Sequence, residues 1–340
     1  MSKSINSTLK SLTITPVVSA LMSLILLSAC SSSSDQQQSS SLSYAAVGQP
    51  LGVDYTVHNL FVGPGSVYLT LDDDLDETFG YAQIARSADA SAAYAFSYLT
   101  LPSGHPYMII GDMVIDDQTK KLYIPVAYQE GANYQYTWLQ YEPGATTPNA
   151  LIVGSYAVPA GAANQFALQS ATFFNGSIYA NYNSTIVGFN VSTGQVALRK
   201  ENFLVSSQDA FWIQDKNTVI AIASDANRIV RKDPETNLES QIGETFSALE
   251  DQGYEVSPHF TVYGGYVSLL AIKRDQAGFS HLALCRVAYQ AESPSWSCNA
   301  SQERISDGSQ IINLDTDAAT GSIYFVLHSL TQGTQLYRIN

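Results

Sequence analysis

One short phrase recurs along this chain, and its clearest copies read Gly65-Ser66-Val67-Tyr68-Leu69, Gly176-Ser177-Ile178-Tyr179-Ala180 and Gly321-Ser322-Ile323-Tyr324-Phe325. Each copy is a small polar turn followed by a run of apolar and aromatic residues, the pattern of a short β-strand leaving a tight turn. Weaker copies read Lys121-Leu122-Tyr123-Ile124, Asn217-Thr218-Val219-Ile220-Ala221 and Gly265-Tyr266-Val267-Ser268-Leu269. A recurring phrase of this kind indicates an architecture built from repeats.

The spacing of the copies predicts the architecture. Their central residues lie at positions 68, 123, 179, 220, 267 and 324, which gives spacings of 55, 56, 41, 47 and 57 residues. A four-stranded propeller blade takes roughly 40 to 50 residues, so these spacings fit blades with some long loops. Six copies predict an all-β, six-bladed β-propeller, with seven or eight blades as alternatives. A β-sandwich also has many short strands, but it would not repeat one phrase six times.

A second strand follows each copy at a short distance. These strands are predicted at Tyr81 to Arg86, Tyr136 to Tyr141, Ile186 to Val191, Arg228 to Lys232, His281 to Val287 and Gln335 to Ile339. The last one, with its core at Leu336 to Ile339, reads as a third strand, so a fourth strand must come from elsewhere in the chain. We expect Val53 to Val62 to supply it, because closing the ring in this way removes exposed sheet edges.

The stretch Ile186 to Leu198, IVGFNVSTGQVAL, resembles the repeat of quinoprotein-type propellers. In that repeat an alanine, an aspartate and a Thr-Gly turn precede a tryptophan that docks between blades. Here Gly188, Asn190, Thr193-Gly194 and Leu198 stand in those places, so the turn matches and the aspartate and tryptophan do not. Asp233-Pro234-Glu235-Thr236 is a weaker echo. The resemblance implies a propeller of this type, including that of a lipoprotein of outer-membrane barrel assembly, and no specific activity.

The N-terminal segment predicts export and lipidation. Lys3 and Lys10 precede an apolar run from Val17 to Leu27, which is too short to span a membrane but typical of a signal peptide. Leu27-Ser28-Ala29-Cys30 resembles the bacterial lipobox, whose cysteine carries diacylglycerol after cleavage; an ordinary secretory signal is the alternative. Ser31, where the family's inner-membrane retention signal has aspartate, favours the outer membrane. We therefore predict a signal peptide over residues 1–29, lipidated Cys30 with a Ser/Gln-rich tether over 30–43, and the propeller over 44–340.

The net charge of the chain argues against two classes of anionic partner. Without residues 1–29, which hold two lysines and no acid, the chain has 14 basic and 30 acidic residues and a net charge of −16. Nucleic-acid binding and electrostatic docking on anionic lipid need the opposite sign. Neither is expected, and lipid on Cys30 is the predicted membrane contact.

The two remaining cysteines, Cys285 and Cys298, lie thirteen positions apart. In an oxidising envelope compartment this spacing suits a disulfide across a hairpin, with two buried free thiols as the alternative. The five histidines are scattered without metal-ligand spacing. No metal centre or cofactor is therefore predicted.

Asp72, Asp74 and Asp76 form the one weak calcium candidate, since oxygen ligands at alternate positions could hold that ion. The stretch fails as an EF-hand, because Glu77 stands where a glycine is required and Gln83 where a glutamate is expected. A solvated hairpin loop is the alternative interpretation.

The sequence contains no Gly-x-Ser-x-Gly, P-loop or Gly-x-Gly-x-x-Gly motif, and no catalytic residue is predicted. The favoured hypothesis is an envelope scaffold or binding module that presents a rigid ring to a protein or glycan. The alternative is a propeller enzyme acting on an envelope glycan or other extracellular substrate. Several carboxylates or histidines converging in the central channel would favour the enzyme, and an apolar or tyrosine-lined outer groove would favour the binding module.

Overall fold

The computed structural model describes residues 41–75, 78–111, 113–116, 118–142, 151–159, 168–182, 185–201, 203, 211–215, 218–223, 227–290 and 295–339. These residues form one compact unit of six small antiparallel sheets arranged in a ring, which is a six-bladed β-propeller. Within five of the sheets the strands follow one another in chain order from the centre of the ring outward, and the sixth takes its outer strand from the beginning of the described chain.

Blades 1 to 3 occupy the first half of the ring. Blade 1 contains β2 (Tyr55–Gly63), β3 (Ser66–Asp73), β4 (Thr78–Ala85) and β5 (Ala95–Tyr98). Blade 2 has a first strand in two pieces, β6 (Met108–Ile109) and β7 (Val114–Ile115), followed by β8 (Leu122–Glu130), β9 (Asn133–Tyr141) and β10 (Leu151–Pro159). Blade 3 contains β11 (Leu168–Phe174), β12 (Ser177–Tyr182), β13 (Thr185–Asn190) and β14 (Val196–Lys200).

Blades 4 to 6 complete the ring. Blade 4 contains β15 (Phe211–Asp215), β16 (Thr218–Ile222), β17 (Ile229–Lys232) and β18 (Glu239–Ile242), and a short helix, α1 (Phe246–Asp251), connects it to blade 5. Blade 5 contains β19 (Tyr254–Tyr263), β20 (Tyr266–Arg274), β21 (Ser280–Ala288) and β22 (Ser297–Ile305). Blade 6 contains β23 (Gln310–Thr316), β24 (Ile323–Ser329), β25 (Gly333–Ile339) and, as its outer strand, β1 (Tyr44–Ala46).

The predicted blade count is confirmed. The six copies of the phrase are the second strands β3, β8, β12, β16, β20 and β24, and the strand predicted after each copy is the third strand of the same blade. The phrase recurs because a second strand is covered on both faces by neighbouring blades and on both edges by its own sheet. Such a strand requires a nearly continuous apolar run.

The predicted closing strand is wrong. Residues 55–63 form β2, the innermost strand of blade 1, and the ring is closed instead by β1, which pairs antiparallel with β25 from Tyr44↔Ile339 to Ala46↔Tyr337. The sequence run from Val53 to Val62 is more apolar than Tyr44–Ala46, but that character reflects burial at the centre of the ring. An outer strand needs little apolar surface, which makes the real closing strand inconspicuous in the sequence.

The chain around β1 is held by more than the strand itself. Val47 is fully buried, and its backbone N–H donates to the carbonyl oxygen of Leu336 at 2.9 Å. The Tyr44 ring meets Tyr337 edge-on, with 5.4 Å between ring centroids. Further upstream, the Leu42 N–H donates to the carbonyl of Ala300 at 3.3 Å. This segment therefore belongs to the packed ring.

A separate apolar cluster fills each contact between neighbouring blades. Among the described residues there are six such clusters, one for each interface of the ring. Leu198 packs in the cluster of blades 3 and 4 with Val219 and Ala221, which is the docking role that the quinoprotein-type repeat gives to tryptophan. Burial of this kind contributes about 25 cal/mol per Å² of apolar surface and is the main stabilising term of the ring.

Four turns share one construction, an aspartate or asparagine followed three positions later by threonine and then by a residue of positive φ. The turns begin at Asp116, Asn190, Asp233 and Asp317, and the positive-φ residues are Lys120 (φ 63), Gly194 (φ 68), Asn237 (φ 60) and Gly321 (φ 76). In each turn the side-chain oxygen of the first residue accepts a backbone N–H two residues later.

All four turns join first to second or third to fourth strands. Because strands alternate in direction, these turns lie at the same end of the ring, which we call the turn face. The other end, reached by the second-to-third turns and by the connections between blades, we call the loop face. Within the described residues no helix is both long and apolar enough to cross a membrane.

Asp317 also joins blade 6 to blade 1. Its carboxylate pairs with the Arg86 guanidinium and accepts the Thr320 hydroxyl at 2.7 Å and the Ala319 N–H at 2.9 Å. The carbonyl of Arg86 in turn accepts the Tyr324 hydroxyl at 3.1 Å. Burial alone raises the pKa of Asp317, but the hydrogen bonds from Thr320 and Ala319 and the charge of Arg86 outweigh it and lower that pKa.

We expect β1 to be essential to the ring. A variant lacking residues 31–47 should lose about 3 kcal/mol or more of unfolding free energy, because it removes the buried Val47 and the Tyr44 ring and exposes the edge of β25. The matched control, which lacks residues 31–40 only, should unfold like the wild type. Thermal melting with size-exclusion chromatography measures both, and equal melting temperatures for the two variants would contradict the assignment of β1 as the closing strand.

We expect Asp317→Asn to destabilise the protein by about 2 kcal/mol at neutral pH, because it removes a charge from a largely buried pair. The pKa of Asp317 is lower in the folded chain than its usual 3.8, so its contribution is present above that pH and is lost as the pH falls through the folded pKa. The difference in unfolding free energy between the variant and the wild type should therefore shrink in acid. Denaturant unfolding at several pH values measures it.

Glu201→Gln is the control for that measurement, because Glu201 forms an exposed pair with Arg199. Its effect should stay within about 0.5 kcal/mol at every pH. A difference for Asp317→Asn that is as large at pH 3 as at pH 7 would contradict the role given to this carboxylate.

Candidate functional site

The first strands of the blades surround a narrow central channel. Its cavity has a volume of about 150 Å³ and is lined by residues of β2, β7, β11, β19 and β23. The polar side chains among the lining residues are Asn59, Ser170, Thr172, His259, Asn313, Asp315 and Thr316. The channel is therefore polar but small.

Several of these polar groups hold neighbouring blades together. The Asn313 side chain donates to that of Asn59, and the Val62 N–H donates to the Asp315 carboxylate at 2.8 Å, so β23 and β2 are joined twice. On the other side of β23, the Thr261 hydroxyl donates to that of Thr316 at 2.9 Å. Within the described lining, one carboxylate, Asp315, and one histidine, His259, face the channel. Several carboxylates or histidines, which the enzyme hypothesis would need, do not converge there.

The calcium candidate lies on the loop face, and its described carboxylates face protein groups. Asp72 contacts the His58 imidazole at 2.8 Å, and Asp74 accepts the Thr56 hydroxyl at 2.9 Å. Asp76 lies outside the described residues. In the part of the chain that the structure describes, no three metal-ligating side chains come together.

Of the other predicted sites, the cysteine pair lies within the described residues and the lipidation site does not. Cys285 and Cys298 face each other across β21 and β22, with Cα atoms 4.0 Å apart and sulfur atoms 1.98 Å apart, which is disulfide distance. The expected hairpin geometry is thus confirmed. Cys30, the predicted lipidation site, lies outside the described residues.

A groove of about 380 Å³ opens on the turn face between blades 5 and 6. It is lined by Tyr263, Gly264, Tyr266, Ser268, Arg286, Thr316, Thr320, Gly321 and Ile323. Residues 263 to 266 form the turn between β19 and β20, and the opposite wall is the turn from Asp317 to Gly321. Two hairpin turns of adjacent blades therefore form the two walls.

The alternation of side chains along β20 and β21 explains which residues line the groove. The side chains of Leu270, Leu282 and Leu284 pack on blade 6, and Ser268 and Arg286 follow on the same faces of the same strands. Nearer the turn face, the apolar contact between the blades is thus replaced by a hydroxyl and a guanidinium. The blades part there because polar side chains do not fill the space between them.

Two tyrosines stand at the mouth of this groove. Tyr263 is 41% exposed and Tyr266 is 50% exposed, whereas the other tyrosines of the ring are buried or half-buried. Tyr263 lies directly against Gly321, where an added Cβ would come within 2.5 Å of its Cε1 atom. Glycine is required at this position for two reasons: it leaves room for the Tyr263 ring, and it adopts a φ of 76° without strain. The close approach fixes the Tyr263 ring against the wall.

Arg286 supplies the positive charge of the groove. Arg86, Arg199, Arg228 and Arg274 each lie within salt-bridge distance of a carboxylate. Arg286 is exposed and makes no hydrogen bond or ion pair with any residue of the described ranges. In a chain with 30 acidic and 16 basic residues, an arginine that pairs with none of the described carboxylates is available to an anionic ligand.

Sequence reasoning did not find this groove. Tyr266 and Ser268 were visible as part of a repeated phrase, but the phrase indicates only a second strand. The one available signal was the pair of tyrosines on either side of Gly264-Gly265. Tyrosine combines an apolar ring with a polar hydroxyl and is enriched at binding surfaces, so two of them beside a hairpin turn indicate such a surface.

Comparison with known proteins identifies structures of similar fold but does not assign the chain to a family. No family model matches the chain, and no curated protein matches it. A protein of unknown function from Bacteroides thetaiotaomicron is similar in structure, with a TM-score of 0.51 and 11% identity over 87% of this chain and 76% of that one. At that identity the similarity concerns the fold alone, and it agrees with the ring of six sheets.

Two propellers of lower similarity are the WD40 domain of Pan2 from Neurospora crassa and the propeller domain of the trilobed protease from Pyrococcus furiosus. The first has a TM-score of 0.46 and 8% identity over 88% of this chain and 96% of that one. The second has a TM-score of 0.43 and 10% identity over 85% of this chain and 94% of that one.

Proposed function

We propose that this chain is a lipid-anchored binding protein of the bacterial cell envelope, which presents its turn face to a protein or glycan partner. The observation that carries the proposal is the groove between blades 5 and 6, which is lined by two exposed tyrosines and by an arginine that pairs with no described residue. Tyrosine provides rigid contact area at low entropic cost, and arginine adds directional hydrogen bonds. Both residue types are enriched where proteins bind their partners.

The anchor is proposed from the sequence around Cys30. The lipobox Leu27-Ser28-Ala29-Cys30 ends an apolar run, and Ser31 favours the outer membrane over the inner one. The polar stretch that follows has the composition of a flexible tether. A lipid-anchored ring could face either the periplasm or the cell surface, and both locations are compatible with a binding role.

The central channel supports a binding role over an enzymatic one. Its cavity of about 150 Å³ is small for a glycan, and Asp315 accepts a backbone N–H from the next blade. A general acid and base pair needs two titratable groups placed on either side of a substrate. The described channel residues offer one carboxylate and one histidine, and no cofactor is proposed.

We also propose descent from the quinoprotein-type repeat. The turn that carries the resemblance, Asn190 to Gly194, joins the third and fourth strands of blade 3, and the turn at Asp233 has the same construction at the same place in blade 4. The turns at Asp116 and Asp317 share the construction but join first to second strands. Aspartate, which is absent from the copy at Asn190, stands in the other three. The docking tryptophan of the repeat is replaced by Leu198.

Lipidation is tested by Cys30→Ser. The variant should lose incorporation of a palmitate analogue and accumulate as the unprocessed precursor, because the thioether cannot form on serine. The wild-type chain should carry label and fractionate with the outer membrane. Label on the variant, or its normal fractionation with the outer membrane, would contradict the anchor.

The binding face is tested by site-specific photo-crosslinking in living cells. A photoreactive residue at Tyr266, on the turn face, should give a discrete crosslinked product in the envelope fraction. The matched control is Leu330, which is 85% exposed in the β24–β25 turn on the loop face, and it should give none. A product at Leu330 and none at Tyr266 would place the binding surface on the wrong end of the ring.

A further inference from the structure

The groove between blades 5 and 6 has the features of a site for one kind of ligand. Three observations define it: a guanidinium that pairs with no described residue, two exposed aromatic rings, and a hydroxyl that opens into the groove. We propose that the groove binds a carboxylated sugar, such as a uronic acid residue of an extracellular glycan. This inference rests on the proposed binding function and names its ligand class.

The Ser268 hydroxyl is an observation independent of the exposed residues. Ser268 is only 5% exposed, yet its hydroxyl forms no hydrogen bond with any described residue. The Ser268 oxygen is not among the buried unpartnered polar atoms of the described residues, so it opens into the groove, where a ligand can bond to it. Ser268 lines the groove directly opposite Arg286 in the β20–β21 register. A ligand that reaches Arg286 can therefore also satisfy this hydroxyl.

The charge of the ligand follows from Arg286. A guanidinium binds a planar carboxylate through two parallel hydrogen bonds, a geometry that a neutral hydroxyl group cannot reproduce. Asp317, the acidic residue nearest in sequence to the opposite wall, points to Arg86 instead and leaves Arg286 uncompensated. Arg286 therefore selects for an anionic group, and a carboxylate supplies that group in the proposed ligand.

The rings and hydroxyls favour a sugar over a peptide. The apolar C–H face of a pyranose packs on the flat face of a tyrosine, while the sugar's hydroxyls pair with side chains such as Ser268. An extended peptide would need free backbone groups to pair with. Here β20 is already paired on both edges, and the opposite turn closes on itself through the Asp317 N–H to Ser322 carbonyl bond at 2.9 Å.

The size of the site agrees with this ligand class. A groove of about 380 Å³ lies in the lower part of the range of small-molecule pockets, which is roughly 300 to 1,000 Å³. It is open on the turn face, so a single sugar unit could enter while the polymer continues on either side. An acidic chain as a whole repels polyanions, so recognition must depend on this one local charge.

The test uses the full-length protein, purified from membranes in detergent, and short oligogalacturonates as the probe. Calorimetric titration should show binding to the wild type. Arg286→Gln should weaken it about 10-fold or more, because a charge-assisted pair is lost. Tyr266→Ala should weaken it several-fold through loss of ring contact. Thermal melting should be unchanged for Arg286→Gln, because Arg286 is exposed and pairs with no described residue.

Two matched controls isolate the charge. Arg274→Gln removes an exposed arginine at the loop-face end of the same blade and should leave the affinity within twofold. Methyl-esterified oligogalacturonate removes the carboxylate from the ligand. It should bind the wild type about 10-fold less tightly, and it should bind Arg286→Gln no less tightly than the free acid does.

Three results would overturn the inference: equal affinity of wild type and Arg286→Gln, equal affinity of the ester and the acid, or equally strong competition by polyglutamate at the same carboxylate concentration. If oligogalacturonate does not bind while the Tyr266 crosslink persists, the ligand class is wrong and the binding function stands. If both are absent, the binding function fails as well.

Discussion

The whole ring depends on the junction between blades 6 and 1. Five of the six blade interfaces join stretches that follow each other along the chain, but this one must bring the beginning of the described chain to its end. The structure secures it in three layers: Asn59 with Asn313 at the centre, an apolar cluster around Val67 and Val326, and the Arg86–Asp317 pair on the turn face. The outer strand β1 then covers β25. Each layer uses a different kind of interaction, so loss of one leaves the others in place.

The repeat could be predicted from the sequence, but the place of an individual strand within its blade could not. The second strands were recognisable because burial on every side demands apolar residues, and their spacing counted the blades. The closing strand could not be found that way, since Tyr44–Ala46 covers one edge and needs almost no apolar surface. Val53 to Val62 was chosen for its apolar character, which instead marks a strand at the centre.

The groove illustrates the same limit for function. Tyr263, Tyr266 and Arg286 are separated by up to 23 positions and belong to three strands, so no linear motif contains them. Their convergence depends on the register of β20 against β21 and on the approach of blade 6. The cysteine pair was predictable because hairpin partners lie close in sequence, and a site between two blades is not.

The position of β1 also bears on how the chain reaches its folded state. The Gln335 side chain donates to the carbonyl of Val47, and these two residues are 288 positions apart. A contact between residues so far apart in sequence can form only when nearly all of the chain between them is present. Each of blades 1 to 5, by contrast, can assemble from its own contiguous segment. Until that moment β25 keeps an unpaired edge, and unpaired edges promote aggregation. Under the export proposed for this chain, the ring can be completed only after the last blade has crossed the membrane, and the interval between translocation and closure is then the period when a chaperone has most to protect.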